Sequence, residues 1–78
     1  NEAYKSLDPS VLAFLESKSY EDRLNILASL HDRITDDMIN TMAVSIDVEI
    51  EPGDLEQRYM ELKNCLLMKE KFERVRLH

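Results

Sequence analysis

The sequence predicts an all-α fold, a small four-helix bundle in a single domain that covers residues 1–78. The chain contains one Gly and two Pro in 78 residues, whereas a β-sandwich or barrel needs a turn signal every ~8–12 residues. Four segments open on a residue that favours a helix N-cap and continue with apolar residues at helical spacing. A hydrophobic content of 44% is ordinary for a folded domain.

The first helix is predicted over residues 9–18, after a lead-in, residues 1–7, that shows no clear period. Asp8 is suited to accept hydrogen bonds from the amides of the first turn, and Pro9 suits the first helical position because its missing N–H is not needed there. Apolar residues then follow at helical spacing: Val11, Leu12, Phe14 and Leu15.

The second helix is predicted over residues 20–33. Ser19 is its expected N-cap, and Asp22 lies three residues on, which makes a variant of the capping box. An apolar stripe follows at i, i+4, i+7, i+11 and i+14, which is the pattern of one helix face. Its members are Tyr20, Leu24, Leu27, His31 and Ile34.

The third helix is predicted over residues 36–46, with Thr35 as its N-cap and two acidic residues in its first turn, where the helix dipole favours them. Residues 44–50 are ambiguous, because apolar and polar residues alternate there with the period of a strand. We predict helix to residue 46 and an extended acidic connector over 47–53. The alternative is a strand that would pair with a second molecule.

The fourth helix is predicted over residues 55–76. Pro52-Gly53 breaks the preceding segment, and Asp54 caps the helix with Gln57 at the capping-box position. Twenty-two residues span about 33 Å, against about 21 Å for the second helix, so the fourth helix should extend beyond its neighbours or run between them.

Two apolar stripes divide the fourth helix, and their centres lie about 130° apart around its axis. The inner stripe comprises Leu55, Tyr59, Leu62 and Leu66, and the outer stripe comprises Cys65, Met68, Phe72 and Val75. One interpretation is that the first helix covers the outer stripe. The other is that the end of the fourth helix, including Leu77, docks on another chain.

The formal net charge of -6 disfavours binding to nucleic acid or to an anionic membrane. Residues 35–57 contain seven acids and no Lys or Arg, whereas residues 58–78 contain six basic residues and three acids. Helix dipoles account for much of this asymmetry. A second interpretation is that the acidic connector contacts a basic surface, such as the basic end of the fourth helix in a second copy.

The acidic residues of the connector are candidate metal ligands, but their spacing does not match a calcium-binding loop. Counting from Asp47, Pro52 stands where the loop needs Gly and Arg58 stands where it needs Glu. A loose divalent-cation site is the alternative to a solvated acidic loop, which is the interpretation we favour. We therefore expect no metal and no cofactor.

Catalytic chemistry is not predicted either. His31 lies on an apolar stripe and is expected to pack with one hydrogen-bond partner, and Cys65 is expected in the core. A Cys65–His31 nucleophile pair is the enzymatic alternative, but nothing in their spacing indicates it. The four methionines are expected in the core. A helix-turn-helix built on the second and third helices is unsuited to DNA, because its reading helix begins with two acids and carries no basic residue.

The predicted function is a non-enzymatic protein–protein interaction module, self-associating through the fourth helix. Its candidate contact residues are Met68, Phe72, Val75, Leu77, Asp47, Glu49 and Glu51. We expect a protein partner or a second copy, no nucleic acid, no membrane and a reducing, cytoplasmic location, since one cysteine allows no intrachain disulfide. The alternative is an accessory domain of a larger enzyme or nucleic-acid complex, which a chain that starts at Asn1 permits.

Overall fold

A computed structural model describes residues 8–76 as a bundle of four α-helices, which confirms the predicted fold class. The helices are α1 (Pro9–Glu16), α2 (Tyr20–Ser29), α3 (Asp36–Ser45) and α4 (Leu55–Arg76), and a 3-10 helix, His31–Arg33, follows α2. These residues contain no β-strand, and none of their helices is long and apolar enough to cross a membrane. The predicted lead-in and Leu77 lie outside the described residues.

All four predicted N-caps are confirmed. In each, a side-chain oxygen accepts a hydrogen bond from an amide of the first turn, which would otherwise have no partner within the helix. The four bonds run from Ser10 N to Asp8 at 2.8 Å, from Asp22 N to Ser19 at 3.0 Å, from Met38 N to Thr35 at 3.2 Å and from Gln57 N to Asp54 at 3.3 Å.

The first three helices end earlier than predicted, and a serine stands at or just after each end. α1 ends at residue 16 instead of 18, α2 at 29 instead of 33, and α3 at 45 instead of 46. The hydroxyls of Ser17, Ser29 and Ser45 each donate to the carbonyl three residues earlier, at 2.6, 2.8 and 2.7 Å. Such bonds compete with the helical pattern of backbone bonds. The bounds of α4 agree with the prediction.

α3 ends in a Schellman motif. Asp47 adopts a left-handed conformation with φ of 59°, its N–H donates to Val44 O at 3.1 Å, and Val48 N–H donates to Ala43 O at 3.0 Å. The chain then lies along the core with Val48 and Ile50 packed against it and Glu49 exposed. The strand-like alternation of this segment therefore reflects an irregular connector with one buried side.

The core is formed by all four helices, with α2 packed mainly on α4, α1 on α3, and α3 also on α4. The inner stripe of α4 is its centre, because Tyr59 is 2% exposed and Leu62 and Leu66 are fully buried. Leu55, at the start of the stripe, is more exposed. Other core residues are Leu15, Leu27, Ile39, Met42, Ala43 and Ile46.

Two buried arginines hold the two ends of α3. Arg23 of α2 donates from Nη1 to Ser45 O at 2.6 Å, where a cation is favoured by the negative end of the helix dipole. Arg58 of α4 donates to Asp36 Oδ1 and, at 2.7 Å, to Asn40 Oδ1, both on the first turns of α3. Each arginine therefore ties α3 to a neighbouring helix.

Candidate interaction surface

The outer stripe of α4 is exposed. Met68 is 52% exposed, Phe72 67% and Val75 63%, while Cys65 is partly buried against the core. The interpretation in which the first helix covers this stripe is wrong, because α1 packs mainly on α3. There the apolar side chains of α1 face Met38 and Met42, so they are not directed toward the end of α4.

A groove of about 620 Å³ runs along the outer stripe. On α4 it is lined by Cys65, Met68 and Phe72, and away from α4 it is lined by Tyr20 from the start of α2 and Val48 from the connector, which we call its walls. Polar side chains of α4 also line it: Glu61, Asn64, Lys69, Glu73 and Arg76. We call this feature the α4 groove.

Both walls of the α4 groove are anchored to the bundle. The Arg23 guanidinium stacks over the Tyr20 ring, 4.7 Å from its centroid, and the same guanidinium is bonded to the end of α3. Val48 is held by its backbone bond to Ala43. The groove is therefore shaped before any partner arrives, which lowers the entropic cost of binding.

Opposite charges lie beside the two halves of the α4 groove. The connector meets the N-terminal half of α4, where Arg58 Nε donates to Glu51 O at 3.0 Å. The connector carries three exposed acids, Asp47, Glu49 and Glu51. The last two turns of α4 carry four basic residues and two acids: Lys69, Lys71, Arg74, Arg76, Glu70 and Glu73. Two of those bases pair locally, Arg74 with Glu70 at 3.5 Å and Arg76 with Glu73 at 3.2 Å.

A second apolar groove, of about 440 Å³, lies between α1, α2 and α3. It includes the half-exposed Val11 and Phe14, and the charged side chains that line it are Asp8 and Asp37. Because both are acidic, this groove has no charge complementarity to a second copy of itself. The α4 groove is the better candidate for that reason.

His31 and Cys65 do not form a catalytic pair. His31 Nε2 lies 2.8 Å from Glu56 Oε1, and its ring stacks on Tyr59, which confirms the prediction of a packed histidine with one partner. Cys65 lies six residues beyond Tyr59 on α4, about 9 Å along the helix, and faces the α4 groove. Within residues 8–76, no three His, Cys, Asp or Glu side chains gather in a way that would hold a metal ion.

The environment of Tyr59 alters its acidity. Burial, and in second place the charge of Glu56, raises the pKa of the Tyr59 phenol above its ordinary value of 10.0. Both effects oppose formation of the phenolate. Ionisation of the Tyr59 phenol is therefore shifted to higher pH than that of a solvent-exposed tyrosine.

Sequence reasoning missed the two buried arginines and misplaced two methionines. Arg23 and Arg58 are 7% and 8% exposed. The available signal was that each lies three residues after one member of an apolar stripe and four before another: Tyr20 and Leu27 for Arg23, Leu55 and Leu62 for Arg58. Met60 and Met68 were expected in the core but are 45% and 52% exposed. Met42 is buried as predicted.

Comparisons with protein-family models, with curated proteins and with solved structures found no match to this chain.

Proposed function

We propose that this chain is a non-enzymatic helical interaction module that self-associates through the outer stripe of α4. The observation that carries the proposal is the exposure of Met68, Phe72 and Val75 on one face of α4, where Met68 and Phe72 line the α4 groove. Scattered exposed apolar residues are normal on a protein surface, but a contiguous apolar strip bordered by polar residues is typical of an interaction site.

The shape of the surface favours a helix as its occupant. The exposed strip follows one face of a helix, and the groove beside it is lined by both apolar and polar side chains. An amphipathic helix binds such a groove with anchors at i, i+3, i+4 and i+7. Met68, Phe72 and Val75 have that spacing themselves, so α4 supplies both a groove and a helix that fits one.

The energetic gain comes from removing these side chains from water. Full burial of a large apolar side chain contributes roughly 1.5–3 kcal/mol. In a symmetric dimer each residue is buried twice, because the same patch is used by both copies. A small domain also gains stability when its limited core is extended by an interface.

The test replaces one residue of the outer stripe and one matched residue outside it. Phe72→Glu is expected to weaken self-association at least about a hundredfold, because it removes two buried rings and adds two unpaired charges to the interface. Met60→Glu is the control, since Met60 is also exposed on α4 and the charge change is the same. Sedimentation over a concentration series measures the dissociation constant, and circular dichroism monitors helix content.

The expected result is a concentration-dependent dimer for the unmodified chain and for Met60→Glu, and a folded monomer for Phe72→Glu. A monomer at millimolar concentration of the unmodified chain would refute the proposal. Equal association of the two variants would show that the outer stripe is not the contact surface.

A further inference from the structure

The α4 groove has a direction, because its two halves lie beside opposite charges. Val48 forms a wall where the acidic connector approaches the N-terminal half of α4. Tyr20 forms a wall toward the C-terminal half, where it also shares a smaller cavity with Glu21, Glu70, Glu73 and Arg74. The connector beside one end of the groove is acidic, whereas the last turns of α4 at the other end carry four basic residues and two acids.

The outer stripe also has the spacing of a paired-helix seam. Glu61, Cys65, Met68, Phe72 and Val75 follow one another at intervals of four, three, four and three residues. This is the heptad pattern of two helices that pack side by side. The four apolar members occupy the C-terminal part of α4, so the seam has a polar start and an apolar end.

We infer that the occupant of the α4 groove is α4 of a second copy, lying antiparallel, with its basic end beside the acidic connector of the first. This rests on the proposed function and adds the geometry of the contact. An antiparallel pair about a twofold axis near Glu70 places Met68 against Phe72 of the second copy. The same axis places Cys65 against Val75 of the second copy, so every apolar member of the seam has an apolar partner.

Charge favours this direction over the parallel one. In the antiparallel pair Arg76 of the second copy lies near Asn64 of the first. Asn64 and Val48 both line the groove, and Val48 is flanked in sequence by the exposed Asp47 and Glu49. The twofold axis repeats this acid–base contact at the other end. A parallel pair would set the acidic connectors beside each other and the basic ends beside each other, and such like-charge contacts oppose association.

Because the chain has a single cysteine, disulfide formation can show whether the two α4 helices run parallel or antiparallel. Two cysteines form a disulfide only when their Cα atoms lie about 4.4–6.8 Å apart. In the antiparallel pair, Cys65 of one copy lies opposite Val75 of the other, whereas the two Cys65 residues are offset by about 15 Å along the helix axis. In a parallel pair in register, the two Cys65 residues would face each other.

The experiment oxidises three proteins at a concentration where the dimer is populated and separates them without reductant. Val75→Cys, which retains Cys65, is expected to form a covalent dimer. The unmodified chain and the double variant Cys65→Ser/Val75→Cys are expected to remain uncrosslinked. In each of them the two copies carry a cysteine at the same position, 65 or 75, and in the antiparallel pair these two cysteines lie far apart. Residues 65 and 75 of one helix are too distant to bond within a chain.

A second measurement addresses the charges. Arg76 is on the exposed end of α4, with 76% of its side chain accessible, so Arg76→Glu leaves the fold intact. Arg76→Glu and Glu49→Lys are each expected to weaken dimerisation about 2- to 30-fold, because each substitution alters two symmetric contacts. Combining them is expected to restore most of the affinity, and the effects should shrink in high salt.

The outcomes separate this inference from the function it rests on. Monomers throughout would refute both. A dimer that crosslinks through Cys65 in the unmodified chain would be parallel, which overturns the inference and leaves self-association standing. A dimer that crosslinks in none of the proteins, or whose charge variants are not restored by combination, also overturns the antiparallel arrangement.

Discussion

The imidazole ring of His31 lies flat on the phenol ring of Tyr59, with centroids 3.9 Å apart and ring planes inclined by 1°. Nε2 of the same imidazole lies 2.8 and 2.9 Å from the two carboxylate oxygens of Glu56. Because an ionised carboxylate only accepts, Nε2 carries a proton in this contact. The His31–Tyr59 stack joins the 3-10 helix to the first half of α4, away from the basic C-terminal end of that helix.

His31→Ala is expected to lower the free energy of unfolding by about 1–2 kcal/mol, because it removes an aromatic stack and a hydrogen bond. Urea denaturation measures the change. Asp32→Ala, at the exposed neighbouring position, is the control and should stay within about 0.5 kcal/mol of the unmodified chain. Equal effects at the two positions would contradict a structural role for the stack.

Arg58→Ala is expected to lower the free energy of unfolding by about 2–4 kcal/mol. The substitution leaves Glu51 O and Asn40 Oδ1 without a charged donor and opens a space beside the core. Asp36→Asn should lower the free energy of unfolding by less than about 1 kcal/mol, because the Asp36 side chain is 63% exposed and Asn keeps an oxygen that can accept from Arg58. Chemical denaturation of both variants tests the difference. A larger loss for Asp36→Asn would assign the stability to the ion pair instead.

Alkaline pH is expected to destabilise the fold through Tyr59. Its pKa is raised in the folded protein, so above pH 10 the unfolded chain loses this proton while the folded chain still keeps it. The stabilisation that Tyr59 contributes through its raised pKa is complete below pH 10 and is lost as the pH rises through the pKa of the folded state. Tyr59→Phe should flatten this part of the stability profile, measured by denaturation between pH 8 and pH 11; an unchanged slope would exclude Tyr59 as its source.

Asp47→Gly is expected to raise stability by about 1 kcal/mol, because a left-handed conformation is costly for a residue with a Cβ. For a domain of this size that corresponds to a rise in Tm of about 4–8 °C. Asp47→Val, which places a β-branched residue at the same φ, should lower Tm. Thermal unfolding of the two variants supplies the comparison, and a Gly variant no more stable than the Val variant would refute the strain at this position.

Much of the local structure was predictable because its causes are local. The caps at Asp8, Ser19, Thr35 and Asp54 depend on a side chain and an amide two or three residues apart, so the residue types alone indicate them. The inner stripe follows from helical spacing in the same way. Helix ends were less predictable, because the serine hydroxyls at Ser17 and Ser29 compete with the backbone only once the preceding turn has formed.

The sequence by itself determined that four helices form, where each begins and that α4 carries two apolar stripes. The tertiary structure decided which stripe is covered: α1 packs on α3, so the inner stripe is buried and the outer stripe is left exposed. It also decided that Arg23 and Arg58 are buried, since each needs acceptors on α3 that lie about 20 residues away in sequence. The reason is physical: spacing defines the faces of one helix, but only the packing of several helices determines which face meets another and which meets water.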